Sequence, residues 1–259
     1  MTGLIAGLSD LLGLAEGIAW AAALAFIRIG AMVALMPGFG DASVPQRVKL
    51  ALVVAFVVIV TPVLADRIGP AATPSFLALG GEAVSGLLLG MGMRLFVVAL
   101  QTAAAMIAQA TTLSQLFSGA GPEPQPAIGN LFVMAGVALA MAAGLHVRAV
   151  ELLLLSYEIL PAGGPLSPAS AADWGLNVIG QTFALAFALA APFVIASLIY
   201  NLALGVINRA MPALMVSMVG APVLTLGALA LMTVATPVIL AAWLDAFSGH
   251  MAEPFAVAP

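Results

Sequence analysis

Few residues in this sequence can do chemistry by type and spacing. His146 and His250 are its two histidines, and neither has metal-ligand spacing around it. Cysteine is absent, which excludes disulfides, thiolate metal sites and a thiol nucleophile. No HExxH, GxSxG or phosphate-binding glycine loop occurs. The reading is therefore non-enzymatic, with no catalytic residue, metal or cofactor. What remains is charge in apolar surroundings. Arg28 interrupts the run from Gly17 to Met36, and Arg94 lies in a run from about Phe76 to Ala110. A cation at the centre of a membrane helix costs at least about 2.5–3.5 kcal/mol, so it faces a partner or a cavity. Glu82 lies about 18 Å from Arg94 at the helical rise, too far to touch it. A partner from another helix or subunit is therefore required, and packing is favoured over an ion pathway. Arg47, Lys49 and Arg209, with Asn208 beside the last, form a second group, read either as a docking surface or as topology determinants. Arg148 and Glu151 are spaced to pair on one helix face.

The elements that carry these residues are set by composition. The chain has 259 residues, 63% hydrophobic and 7% charged, with a mean hydropathy of +1.19. A soluble domain has about 25% charged residues, so an ordinary soluble enzyme is excluded and a multi-pass membrane protein is expected. The net charge is −4. Without a basic patch, no nucleic acid partner is expected. The N-terminal stretch lacks a basic region and carries Asp10 and Glu16, so it does not read as a signal peptide.

A bilayer core about 30 Å thick needs about 20 apolar residues per helix. Runs at 17–36, 50–65, about 76–110, 131–145, 174–208 and 210–244 give six hydrophobic helices in one domain, 1–259. Between 146 and 158 the spacing stays helical, and Ser170 or Asp173 is placed to cap the next helix. Pro192, Pro222 and Pro237 are expected to kink or break the long runs. Gly86 and Gly90 form a small-xxx-small pair suited to close helix packing. Met91, Met93, Met211, Met215 and Met218 read as core filler. Residues 113–130, LSQLFSGAGPEPQPAIGN, hold three prolines and three glycines. They cannot form a regular helix. The residues alone leave a surface loop and an irregular segment at membrane depth both open. Arg47 and Lys49 place the first loop in the cytoplasm by the positive-inside rule, and with six spans Arg209 also falls inside and both termini outside.

Four stretches in order resemble the FliR family of flagellar export proteins, related to the SctT-type subunits of virulence secretion. They are Phe26-Ile27-Arg28 followed by Ser43-Val44-Pro45-Gln46-Arg47-Val48-Lys49-Leu50, then Leu160-Pro161-Ala162-Gly163-Gly164, then Asn201 to Arg209 followed by Met211-Pro212, and last Gly220 to Leu226. The resemblance implies an all-α, multi-pass inner-membrane subunit of the flagellar basal body, built of about six long, kinked, inclined helices arranged as hairpins. A FliP-like part at about 1–189 would precede a FliQ-like hairpin at about 190–244. It implies assembly with FliP-like and FliQ-like subunits into an export pore, an FlhB-like subunit on the cytoplasmic side, surrounding membrane lipid, and unfolded export substrates in transit. It also implies that the loop at 113–130 plugs the closed pore, with Gln115, Leu116, Phe117, Ser118, Gly119, Ala120 and Gly121 at its centre. Leu116 and Phe117 suit an apolar constriction that resists ions by dewetting. This stretch departs from the phenylalanine–alanine and aspartate–proline pattern of many members. The rival reading is a small secondary transporter with a midplane substrate site. The halves show no self-similarity of the kind such a transporter requires.

Overall fold

The computed structural model describes residues 2–68, 75–112, 127–164, 166–210 and 216–255. All seven elements among them are α-helices: α1 (Thr2–Leu35), α2 (Gln46–Ile68), α3 (Phe76–Thr112), α4 (Ala127–Ala142), α5 (Leu145–Ile159), α6 (Pro168–Ala210) and α7 (Val216–Ala252). Five are long and apolar enough to cross a membrane, and a sixth span results if α4 and α5 count together. The expected all-α membrane architecture is therefore the observed one.

Several boundaries differ from the sequence reading. Helix α1 begins at Thr2 and runs past Asp10 and Glu16, because a single carboxylate in the sequence does not interrupt the backbone hydrogen-bond ladder. The fourth run starts earlier than expected, at Ala127, so that residues 127–130 are helical although the sequence reads them as irregular; it also ends earlier, at Ala142, and α5 starts at Leu145 after Gly144 takes φ 83°. A glycine tolerates that left-handed conformation where another residue resists it. The α6 cap is Ser167 rather than Ser170 or Asp173, both of which lie inside the helix. Its hydroxyl oxygen accepts from the Ser170 N–H at 3.3 Å. Pro168 takes the first helical position, where a missing N–H leaves no bond unmade. The interior prolines do not break their helices: Pro192 lies within α6, and α7 continues through Pro222 and Pro237. Pro62 lies inside α2 in the same way.

The chain divides into two compact units. The first comprises Met1–Arg94, Ala143–Val178 and His250–Pro259; the second comprises Leu95–Ala142 and Ile179–Gly249. In the first, α1 buries Ala21, Leu24, Ala25, Ile29, Met32 and Val33 at three- and four-residue intervals. Gly86 and Gly90 of α3 lie where that helix crosses α1. A Cβ on Gly86 would collide with the Arg28 carbonyl, and one on Gly90 would fall 2.7 Å from the Met32 carbonyl oxygen. The small-xxx-small pair thus brings two backbones together. His250 packs against Trp174, with ring centroids 6.4 Å apart. The Trp174 indole donates to the Pro254 carbonyl at 2.6 Å.

In the second unit Trp243 is fully buried. It stacks on Phe247 at 5.2 Å and donates to the Phe96 carbonyl at 2.8 Å. Ser197 donates to the Ala110 carbonyl at 2.8 Å, and Asn201 donates to the Ser197 carbonyl at 2.9 Å. Of the methionines read as filler, Met93 is buried and Met91 is exposed.

Candidate functional site

Arg28 sits on the buried face of α1, in the last third of the helix, with 1% exposure. A bare guanidinium there would lose its hydration with nothing in return. Three elements supply the return. Glu82 on α3 accepts from Nε at 2.7 Å and from one terminal nitrogen at 3.1 Å, a forked pair. The same terminal nitrogen also donates to the Leu160 carbonyl at 2.9 Å. The other donates to the Ser156 hydroxyl at 3.1 Å. Tyr157 lays its ring under the guanidinium carbon, 3.8 Å from centroid to carbon, a cation–π contact.

Glu82 is as fully engaged. Besides Arg28, its carboxylate accepts from the Tyr157 hydroxyl at 3.4 Å and the Gly163 N–H at 2.9 Å. Gly163 turns at φ 68°, and Gly164 donates back to the Pro161 carbonyl at 3.0 Å. That tight turn aims a backbone donor at Glu82. The Leu-Pro-Ala-Gly-Gly segment and the arginine of α1, far apart in sequence, therefore form one fastening. Chemically it holds opposite charges in place. No pair in it has the geometry of a nucleophile and its base.

A second fastening holds the α1–α2 turn. Arg94 donates to Asp41 at 2.7 Å, with both side chains over a third exposed. Lys49 donates to the Gly40 carbonyl at 2.8 Å. Gly40 has no room for a side chain, since a Cβ would lie 2.6 Å from the Ala34 carbonyl oxygen. The requirement that Arg94 find a partner outside its own helix is met by Asp41, and Glu82 serves Arg28 instead.

Arg47 is exposed at the start of α2, in the first unit, and Asn208 and Arg209 are exposed at the end of α6, in the second. Arg148 and Glu151 make no ion pair with each other; they line a shared cleft with Gly144 and Met251. Gln115, Leu116, Phe117, Ser118, Gly119, Ala120 and Gly121 lie outside the described residues. Sequence reasoning missed Ser156, Tyr157 and Gly163 as partners of a buried charge. Their only prior signal was that the glycine-rich turn belonged to a recurring motif.

The family model of bacterial export proteins, family 1, matches residues 19–250. That span takes in every residue of both fastenings. The chain is also 34% identical over 235 residues to the flagellar biosynthetic protein FliR of Caulobacter vibrioides, covering 88% of this chain and 93% of that protein. The chain belongs to the FliR family of bacterial export proteins. The FliR of Escherichia coli is 30% identical over 220 residues, covering 82% of this chain and 83% of its own. That of Aquifex aeolicus is 27% identical over 226 residues, covering 83% and 85%. Membership of the FliR family, with five to six spans, makes this a membrane component of the flagellar export apparatus.

Proposed function

We propose that the chain is a non-enzymatic core subunit of the flagellar type III export gate. It assembles with FliP-like and FliQ-like subunits into the inner-membrane pore of the basal body. In this reading residues 1–189 form the FliP-like part, 190–244 form the FliQ-like hairpin, and the loop from Gln115 to Gly121 keeps the pore closed. Arg47, Lys49, Asn208 and Arg209 meet an FlhB-like subunit on the cytoplasmic side.

The observation that carries the assembly is the apolar surface of α6. The helix has 43 residues, which is about 65 Å at the standard rise, against a hydrocarbon core of about 30 Å. Large apolar side chains are exposed along it from Leu176 to Ile207, a stripe of about 47 Å, and even a tilt of about 40°, the upper end of the usual range, leaves it about 6 Å longer than the core. Lipid cannot cover all of that stripe, so protein must. The transporter reading lacks such support, because the partners of Arg28 are already within the chain and leave it no substrate to hold.

The test is mild-detergent purification of the tagged chain from its own host, with mass spectrometry of what accompanies it. Recovery of FliP-like and FliQ-like subunits in one particle is expected. A monomer or homodimer, unchanged after cross-linking, overturns the reading.

A further inference from the structure

Two glycine pairs spaced by four on helices of the first unit, Gly86 with Gly90 and Gly13 with Gly17, differ in their surroundings. At Gly86 and Gly90 the space is filled by the backbone of α1, at Arg28 and Met32. At Gly13 and Gly17 of α1 a Cβ would meet nothing within 4 Å. These glycines line a cleft of about 590 Å³ whose opposite wall is α2, at Val58, Thr61 and Pro62.

The second wall carries unmet polarity. Thr61 is only 8% exposed, and its hydroxyl has no hydrogen-bond partner. Buried hydroxyls are normally paired, and a threonine on a helix usually bonds back to its own preceding turn. Beside it, Pro62 has no N–H to give the Val58 carbonyl. The cleft thus joins a glycine surface that permits close backbone approach to a threonine hydroxyl without a partner. An acyl chain would fill the volume and leave that hydroxyl unpaired. The filled counterpart at Gly86 and Gly90 shows what this glycine spacing accommodates in this chain, which is a helix backbone. Gly13, Leu14, Gly17 and Ile18 precede residue 19, where the match to the family model begins.

We propose that this cleft seats a neutral membrane helix of another subunit. That helix crosses α1 at Gly13 and Gly17 with a small residue of its own and brings a hydroxyl or amide side chain to Thr61. The inference rests on the assembly reading above and adds a place and a chemistry to it.

The chain has no cysteine, so Ile18→Cys creates a single attachment point for a benzophenone maleimide. The experiment uses the full chain co-expressed with its sister subunits in membranes. After irradiation the adduct is identified by mass spectrometry, and co-recovery of sister subunits is scored in the same sample. The expected adduct is to a membrane-spanning helix of a sister subunit. Gly17→Leu in the same background should abolish it. Thr61→Val, which keeps the shape, should lower its yield about threefold, the usual worth of one interhelical polar contact in a membrane. Thr61→Ser should keep it. An adduct to a second copy, or to phospholipid alone, with sister subunits co-recovered, overturns the cleft assignment and leaves the assembly reading standing. So does an adduct that Gly17→Leu leaves unchanged. Absence of sister subunits overturns both.

Discussion

At the scale of single residues, the buried Arg28–Glu82 pair makes the sharpest claim. Each member has at least three partners, so removing one strands the others in a place where water cannot replace it. Breaking a buried pair from one side costs about 3–5 kcal/mol. Arg28→Ala and Glu82→Ala are therefore expected to lower the detergent thermal midpoint and the folded yield strongly. Arg28→Lys should be nearly as harmful, because an ammonium lacks the fork that reaches Glu82, Ser156 and Leu160 together. A lysine variant with an unshifted midpoint would refute the forked geometry. The sequence revealed that Arg28 and Arg94 needed partners, because the cost of an intramembrane cation is a property of the residue and its run. It did not reveal which partners. Asp41 and Glu82 become neighbours only once the helices cross, and Gly163 contributes a backbone N–H that no side-chain pattern records.

At the scale of elements, the crossing of α1 and α3 depends on glycines that leave no room for a Cβ. Overpacking a tight contact costs about 1–3 kcal/mol, and here the obstacle is a backbone carbonyl that cannot swing aside. Gly90→Leu is expected to destabilise the chain, measured as a fall in monodisperse fraction on size exclusion. Gly80→Ala, on the same helix but with open space around it, should be neutral or stabilising by up to about 1 kcal/mol, since alanine is the better helix former. Equal effects at the two positions would remove the crossing argument. Ser167→Ala should cost about 1 kcal/mol by uncapping α6, read as a lower thermal midpoint. The helices themselves were legible because their apolar runs are long. Their ends were less so. Ser167 was overlooked because Ser170 and Asp173 stand nearer the apolar run, and the Gly144 break was hidden inside continuous apolar spacing. Of the two outcomes expected at Pro192, Pro222 and Pro237, a break is not what occurs, since α6 and α7 run on through them. Membrane helices tolerate interior proline where neighbouring groups satisfy the freed carbonyl.

At the scale of the whole molecule, the proposed assembly raises what the exposed apolar stripe of α6 and the residues between α3 and α4 would do once sister subunits surround them. A pore built from such walls conducts whenever nothing blocks it, and a cell cannot tolerate an open protein channel across its inner membrane. In the proposed gate the block is the stretch from Gln115 to Gly121, to which Leu116 and Phe117 would bring bulk and Gly119 and Gly121 the conformational range of glycine. Deleting Ser118 to Gln125 removes the glycines and two of the three prolines while leaving α3 and α4 in place. Assembly with the FliP-like and FliQ-like subunits should survive, because the stripe on α6 is untouched. The membrane should become leaky, seen as faster collapse of a potential-sensitive dye signal than with the intact chain. A membrane that stays tight, with the complete particle recovered from the same cells, would place the block elsewhere in the assembly.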